Sequence, residues 1–452
     1  MLQILWYACE AAVANVYAPS RHQAYLNRMG AYMPLERFFL ENYRCFKERQ
    51  EVELGKITVV LGRNNAGKSA VVRALPLLST GIRTDSPYPL DLDPIQGFAP
   101  SFTDLIHGSS PHGRIHVGVS FRAEGGEVLG VDAEIQNIAD RGMQLVSALE
   151  ISCGSDVEKF SWIPGPDAYS SERRTYRAGG KATQLTFRGM LPDGADWADS
   201  VDGVDEISRK IREEFDEIRY LGPFRKTPDR FFRAPARGSG SVGYRGEKAL
   251  GMLAADEMRG RGHLGREVNR LLEGMLPGWR IAVTDVGAGM YVPRLYSTND
   301  PDLVVHIDDV GTGVVQFLPI LVQRASDVVE PPTNPVIEIV EEPELHLHPS
   351  AHASIADLYI DAVHASSVRF LVETHSENFL LRLRRRVAEG RLSPADLRVY
   401  FVEQMEGAAF LRKIRVDTLG NIDYWPAGIF AEDFEETRAL ADAQANRVDN
   451  AG

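Results

Sequence analysis

Residues 62–69 read Gly62-Arg63-Asn64-Asn65-Ala66-Gly67-Lys68-Ser69 and fit the phosphate-binding pattern G-x-x-x-x-G-K-[ST] at every fixed position. In such a loop the backbone N–H groups surround phosphates, the lysine adds positive charge, and the serine hydroxyl can bind Mg²⁺. A buried strand is predicted at 56–61 and a helix at 69–78, which is the order of elements that the loop needs. The loop therefore predicts nucleoside triphosphate binding by Gly62, Asn64, Asn65, Ala66, Gly67, Lys68 and Ser69.

The composition is typical of a soluble globular protein. The chain has 452 residues, of which 44% are hydrophobic and 25% charged. A formal net charge of −13 argues against a protein that coats nucleic acid over its whole surface. The three cysteines, Cys9, Cys45 and Cys153, fit no zinc or disulfide spacing, which favours a reducing cytoplasm.

Residues 1–34 precede the organised pattern and have an uncertain status. The apolar run at 1–18 contains Glu10 and is too short to span a bilayer, so we expect neither a signal peptide nor a membrane anchor. Two alternatives stay open, a helix that packs on the protein and a leader upstream of a start at Met29 or Met33.

The pattern changes along the chain. A hairpin is predicted at 35–54 and an antiparallel sheet up to about residue 187, because apolar residues alternate with polar ones there. Helical spacing follows at 207–215 and 247–276. From residue 335 strands and helices alternate, which predicts a parallel sheet with helices packed against it.

An acidic strand and a histidine supply candidate chemistry. The apolar run at 335–340 ends in Glu341-Glu342, where the first carboxylate can hold Mg²⁺ through water and the second can orient or deprotonate the attacking water. The apolar run at 370–372 ends in Glu373-Thr374-His375-Ser376, where His375 can sense the γ-phosphate. The competing interpretations are a strand capped by solvated acids and a structural histidine.

A second glycine-rich run precedes the acidic strand. Gly311-Thr312-Gly313 opens an apolar helix, and the start of a helix is an anion site. Because the first loop already serves one nucleotide, this run is predicted to serve a nucleotide held by another subunit. A plain turn is the alternative.

Together these motifs resemble the ABC-type AAA ATPases, the branch that includes RecF, the SMC proteins and the OLD-family proteins. Three further runs resemble a compact subgroup that ends in a W-P-x-G-[IF]-F motif, and they lie at 220–225, 242–247 and 420–430. The resemblance implies an α/β P-loop NTPase fold, an ABC-type head with an antiparallel β lobe and an inserted helical region. It also implies two heads that close on two ATP molecules.

The same resemblance implies roles for individual residues. Ser69 and Glu341 match the Mg²⁺ site, Glu342 and His375 match the catalytic acid and the switch, and the signature acting in trans is matched by Gly311, Thr312 and Gly313. The pair Glu341-Glu342 replaces the usual Asp-Glu, and Val315 stands where the subgroup often has serine. Both departures favour slow turnover.

Six segments follow from this assignment. Residues 1–34 are an extension, 35–84 and 301–392 the two parts of the ATPase head, 85–200 the antiparallel lobe, 201–300 a helical and strand insertion, and 393–452 the C-terminal strands and helix.

The sequence contains three other candidate sites, one histidine cluster and two basic clusters. His346, His348 and His352 with Glu344 suggest a metal site, but their spacing is poor for one helix face. Two basic clusters, at 225–237 and 382–391, suggest contact with DNA or RNA phosphates. The segment after residue 392 is too short for the nuclease domain of OLD-type proteins.

The sequence thus predicts a cytoplasmic ATPase that uses ATP and Mg²⁺ and works as a nucleotide-gated homodimer without a membrane partner. It would couple ATP turnover to DNA or to an effector protein, in phage defence or DNA maintenance. The alternative is a sensor or scaffold that hydrolyses little ATP and regulates a partner nuclease or toxin.

Overall fold

The computed structural model describes residues 33–84, 86–95, 97–123, 126–165, 173–193, 204–235, 239–405, 407–425 and 439–440. Most of the extension predicted at 1–34 lies outside these ranges. The part of the 420–430 motif after residue 425 and nearly all of the predicted final helix also lie outside them.

The described residues divide into two compact units. One unit contains the described residues up to Glu53 together with Ala74–Asp216, and the other contains Leu54–Arg73 with the described residues from Glu217 onward. The chain therefore leaves the first unit, forms the phosphate loop inside the second, and returns. The six predicted segments are a finer division that stays a prediction.

The first unit is built on an antiparallel sheet of eight strands in the order β2-β1-β4-β5-β6-β7-β8-β9. Alternating apolar residues form it, and Ile115, Val117, Val119 and Phe121 of β4 are buried as their spacing predicts. The strands are β1 (Leu35–Glu41), β2 (Gln50–Glu53), β4 (Arg114–Arg122), β5 (Val128–Ile138), β6 (Met143–Cys153), β7 (Asp156–Trp162), β8 (Arg174–Ala178) and β9 (Lys181–Leu185).

Shorter elements complete the first unit. They are helix α2 (Ala74–Ile82), helix α3 (Val204–Glu214) and a hairpin of β10 (Phe187–Arg188) and β11 (Leu191–Pro192). The spacing of Ile207 and Ile211 predicts α3, and both side chains are buried.

The second unit is built on a six-stranded sheet in the order β12-β17-β18-β3-β19-β20. Its first five strands run parallel, and β20 pairs antiparallel with β19. Every residue of β3 and β17 is buried, as expected for a sheet covered on both faces. The strands are β3 (Ile57–Gly62), β12 (Glu217–Leu221), β17 (Val336–Glu341), β18 (Val368–Glu373), β19 (Leu397–Met405) and β20 (Ala408–Ile414).

Six helices and a small antiparallel sheet accompany it among the described residues. The helices are α1 (Lys68–Val72), α4 (Ala249–Met258), α5 (His263–Glu273), α6 (Thr312–Val329), α7 (Pro349–Ala365) and α8 (Glu377–Ala388). The small sheet contains β13 (Phe232–Arg233), β14 (Trp279–Asp285), β15 (Met290–Ser297) and β16 (Val304–His306).

The helix predicted at 69–78 is divided in two at Arg73. Pro76 lacks the N–H that would donate to the carbonyl of Val72, which explains a break at this point. In other respects the predicted α/β fold with its antiparallel lobe and inserted helical region is confirmed. No helix in the described ranges is long and apolar enough to cross a membrane.

A buried ionic network joins α6 to the sheet. Arg324 of α6 pairs with Glu338 of β17 and lies 2.9 Å from Asp327, while Arg219 of β12 lies 2.7 Å from Asp327. Burial raises the pKa of Glu338 to about 7, and Arg324 opposes that rise. Opposite charges held out of water in this way fix the helix on the strand, because separating them leaves a buried charge unpaired.

We expect Arg324→Met to lower the free energy of unfolding by about 3–5 kcal/mol, because it leaves buried carboxylates without their cation. The Arg324 side chain is 2% exposed. Urea unfolding followed by circular dichroism measures the change. The matched control is Arg261→Met, whose pair with Glu330 is exposed and should matter by less than about 1 kcal/mol. Equal effects of the two substitutions would contradict the network.

Candidate active site

Three neighbouring parallel strands deliver the candidate residues to one edge of the sheet. Glu341 at the end of β17 is in register with Glu373 at the end of β18, and Glu373 is in register with Val60 of β3. Because carboxyl ends of parallel strands meet at the same edge, the loop that follows β3 lies beside both acids. This is the expected position of a site in an open α/β sheet.

The phosphate loop has the backbone that its glycines and asparagine allow. Gly67 has a φ of 112° and Asn65 a φ of 61°, in the region that favours glycine and asparagine. Lys68 is buried inside the loop, where its Nζ donates a hydrogen bond of 3.0 Å to the carbonyl of Arg63. Burial lowers the pKa of Lys68, and the charge of Glu373 opposes this. The loop thus holds a buried cation at its centre, as a phosphate site needs.

Ser69 contacts Glu373, an acid for which the sequence analysis predicts no role. Its Oγ donates to Oε1 of Glu373 at 3.0 Å, and the Nζ of Lys68 lies 4.0 Å from the same oxygen. Burial raises the pKa of Glu373 to about 8, helped by Glu341 and opposed by Lys68. The only signal for Glu373 in the sequence is its position directly before Thr374-His375.

Glu342 and His375 lie together next to Glu373. The Nε2 of His375 is 3.5 Å from Oε1 of Glu342, and both side chains are half-buried. Glu342 has a φ of 45°, a strained value for glutamate, and its N–H donates to the carbonyl of Glu373 at 2.8 Å. Burial and the charge of Lys68 lower the pKa of His375 to about 4, so the imidazole is neutral at pH 7.

Glu344 holds the backbone that carries His375. Its Oε1 accepts hydrogen bonds of 2.7 Å from the Thr374 hydroxyl and from the N–H of His375. In the sequence, Glu344 is a candidate only for the metal site with His346, His348 and His352, whose spacing is poor for one helix face. In the structure, its carboxylate positions the backbone of Thr374 and His375.

Glu341, the acid predicted for Mg²⁺, faces other partners. Its two oxygens accept two hydrogen bonds of 2.6 Å from Arg73, and the Tyr220 hydroxyl donates to Oε1 at 2.7 Å. The side chain is 1% exposed. The structure therefore brings Glu341 to Arg73 and brings Glu373 to Ser69.

Arg225 connects the acidic pair to the glycine-rich helix start. It donates to the carbonyls of Glu341 and Glu342 at 3.0 and 3.2 Å, and to the carbonyl of Gln316 in α6 at 3.1 Å. Only 4% of Arg225 is exposed. Arg225 and Tyr220 belong to the run at 220–225 that the sequence singled out, and the structure gives both a place in the site.

The glycine-rich run opens α6 at the surface. Gly311 is the N-cap residue, no side chain caps it, and Gly311 and Thr312 are exposed. A Cβ at Gly313 would lie 2.6 Å from the carbonyl oxygen of His346, so close backbone approach requires glycine there. Among the described residues, no atom would lie within 4 Å of a Cβ at Gly311. Packing against the part of the chain that the structure describes therefore does not explain this glycine.

Most described residues of the histidine cluster and the two basic clusters make contacts within this chain. His352 contacts Ser376 Oγ at 2.8 Å and the carbonyl of Leu347, and His348 contacts Ser350. In the second basic cluster, Arg382 and Arg386 pair with Asp357, Arg385 with Glu389, and Arg391 with Asp361. In the first cluster, Arg225 is buried, and Lys226 and Arg230 pair with aspartates. Arg237 lies outside the described residues.

The residues at the sheet edge fit a nucleotide with its Mg²⁺. In the described ranges, Glu342, Glu373 and His375 form the cluster whose ligand atoms lie within 4.8 Å of one another. Oε2 of Glu373 is buried and has no hydrogen-bond partner in the part of the chain that the structure describes. Hydroxyl and carboxylate oxygens are the ligands that Mg²⁺ prefers.

The family described as AAA ATPase domain matches residues 33–122 and 279–380. These stretches contain the phosphate loop, the run at 311–313, the acidic strand and His375. No curated protein matches the sequence.

Among solved structures, the chain is similar to three SMC heads. The "SmcHead bound to the C-winged helix domain of ScpA" is 14% identical, covers 85% of this chain and 98% of its own, and has a TM-score of 0.49. The SMC head domain from Thermotoga maritima is 12% identical, with 85% and 100% covered and a TM-score of 0.40. A Pyrococcus furiosus head, described as bound to the C-terminal domain of ScpA, is 13% identical, with 85% and 97% covered and a TM-score of 0.46. Because these three TM-scores are below 0.5, the fold assignment rests on the strand order and the phosphate loop of this chain.

We expect Arg225→Lys to lower the free energy of unfolding by about 2–3 kcal/mol, because one ammonium does not reach three carbonyls and leaves buried acceptors unsatisfied. Urea unfolding measures the loss. Arg245→Lys is the matched control, since Arg245 donates to the carbonyl of Phe224 from an exposed position. A stability change at Arg225 no larger than at Arg245 would contradict its role as a link.

Proposed function

Because the chain carries an AAA ATPase domain, we propose that it binds ATP with Mg²⁺ at Gly62–Ser69 and hydrolyses it to ADP and phosphate. One observation carries the proposal. Lys68, Ser69, Glu342, Glu373 and His375 converge at the carboxyl ends of adjacent parallel strands, although 307 residues separate the first from the last. The compact subgroup and the cytoplasmic location stay predictions.

Each residue has a role that its contacts support. Lys68 and the loop N–H groups bind the β- and γ-phosphates. Ser69 and an acid of the sheet edge would hold Mg²⁺, which would supply positive charge to the phosphates. Glu342 orients the attacking water and accepts its proton, and its fixed backbone keeps it beside His375. Neutral His375 donates or accepts a hydrogen bond at the γ-phosphate, and Glu344 holds it there.

The site is proposed to be completed by a second copy of the chain. Gly311 and Thr312 lie exposed at a helix start that no side chain of the described residues caps, and such a position is suited to a γ-phosphate. The open space at Gly311 would admit a phosphate held by a partner. In this arrangement ATP closes two heads on each other, and hydrolysis reopens them.

The output of this cycle is proposed to be an effector protein or DNA, in phage defence or DNA maintenance. The ion pairs of the two basic clusters favour the effector protein, because five of the eight described arginines there, Arg230, Arg382, Arg385, Arg386 and Arg391, already pair with carboxylates of the same chain. Binding to mixed-sequence DNA that weakens steeply with salt would favour DNA instead.

We expect Glu342→Gln to slow phosphate release by about 10²–10³-fold while ATP binding persists, because the amide does not accept the proton. Lys68→Ala should abolish ATP binding, and Glu330→Gln, an exposed acid in another pair, should change neither quantity. Phosphate release and ATP binding are measured on the same preparations. Turnover that is insensitive to Glu342→Gln would remove the catalytic assignment and leave the alternative function, a sensor or scaffold that hydrolyses little ATP and regulates a partner nuclease or toxin.

We expect Lys68→Ala and Gly311→Glu proteins to be inactive alone and to recover about a quarter of the wild-type turnover when co-expressed. Random pairing gives mixed dimers in half of the cases, each with one intact composite site. The phosphate release of the co-expressed sample tests this expectation. Wild-type turnover by Gly311→Glu alone would show that the signature is not shared between subunits.

A further inference from the structure

Two buried glutamates compete for the place beside the phosphate loop. Strand β18 lies between β17 and β3 in the sheet, so Glu373 ends the strand next to the loop and Glu341 ends the strand beyond it. Ser69 is a predicted Mg²⁺ ligand, so a carboxylate in contact with its hydroxyl lies next to the metal position of a loop-bound nucleotide. The structure records that contact for Glu373, at 3.0 Å from Ser69 Oγ.

The carboxylate of Glu373 is only partly satisfied. Oε1 accepts from Ser69, whereas Oε2 is buried and has no hydrogen-bond partner among the described residues, in a side chain that is 4% exposed. A buried carboxyl oxygen without a partner is costly, and a cation bound there relieves that cost. Glu342 and His375 place further ligand atoms within 4.8 Å of this carboxylate.

The carboxylate of Glu341, in contrast, has hydrogen-bond partners on both of its oxygens. Arg73 binds both of its oxygens at 2.6 Å, and Tyr220 adds a third hydrogen bond. Moving Glu341 toward a metal would break a bidentate ion pair and leave the Arg73 guanidinium without this partner.

We propose that Glu373, and not Glu341, supplies the carboxylate to the Mg²⁺ that Ser69 and the ATP phosphates hold. Glu341 is then the counter-ion that positions Arg73 and Tyr220 at the end of α1. This inference rests on the proposed ATP binding and changes which acid serves it. Since Mg²⁺ in nucleotide sites takes one or two protein ligands in addition to phosphates and waters, Ser69 and Glu373 form a sufficient set.

The test compares the affinity for the fluorescent analogue mant-ATP in Mg²⁺ and in EDTA. We expect mant-ATP to bind the wild-type chain at least about tenfold more tightly in Mg²⁺ than in EDTA, because Mg²⁺ neutralises phosphate charge. In Glu373→Gln the ratio of the two dissociation constants should fall to about two or less. In Glu341→Gln both affinities should weaken because the ion pair with Arg73 is lost, but their ratio should stay within about twofold of the wild type. Thermal unfolding monitors the fold of every variant, and Glu373→Asp replaces Glu373→Gln if the latter does not fold, with the same expected loss.

A second readout observes the metal itself. Mn²⁺ with mant-ATP replaces Mg²⁺, and electron paramagnetic resonance reports the Mn²⁺ that each variant retains. Glu373→Gln should release most of the Mn²⁺ and Glu341→Gln should retain it.

The outcomes separate this proposal from the proposed function. Loss of the Mg²⁺ effect in Glu341→Gln with retention in Glu373→Gln would overturn the assignment and leave ATP binding intact. Wild-type binding with no advantage from Mg²⁺ would also overturn it. A wild-type chain that binds no mant-ATP in either buffer would instead refute the proposed function.

Discussion

The ion pair between Arg73 and Glu341 is the interaction on which the rest of the site depends. It joins the end of the helix that follows the phosphate loop to the end of the acidic strand, with both oxygens at 2.6 Å from the guanidinium. Because the pair is largely out of water, its geometry is costly to change. The backbone that leads from Glu341 to Glu342 is therefore fixed from one side, and Arg225 fixes it from the other.

The parts of the site that the sequence predicts are those whose chemistry is local. The phosphate loop, the acidic strand and the helix start at Gly311 each have their residues within a few positions, so spacing alone indicates their structure. The antiparallel sheet of the first unit was also predictable, because apolar residues alternate with others in strands such as β4, although its number of strands was not. These predictions needed no knowledge of which strands are neighbours.

The parts that the sequence does not predict depend on strand order. Whether Glu341 or Glu373 lies beside Ser69 follows from the insertion of β18 between β17 and β3, and that order involves segments about 300 residues apart. The roles of Tyr220 and Arg225 likewise require β12 to be the neighbour of β17. The basic clusters illustrate the same limit in part, since Arg230, Arg382 and Arg391 have carboxylate partners that are distant in sequence, and the charge pattern alone suggested a nucleic-acid surface.

Arg225 has a mechanical consequence. One planar guanidinium binds the carbonyl of Gln316 in α6 and the carbonyls of Glu341 and Glu342, so the helix and the acidic pair are tied to the same side chain. A displacement of the exposed start of α6 would therefore act on the backbone of Glu342 through these hydrogen bonds. Conversely, a displacement of the Glu342 backbone would act through Arg225 on the exposed start of α6.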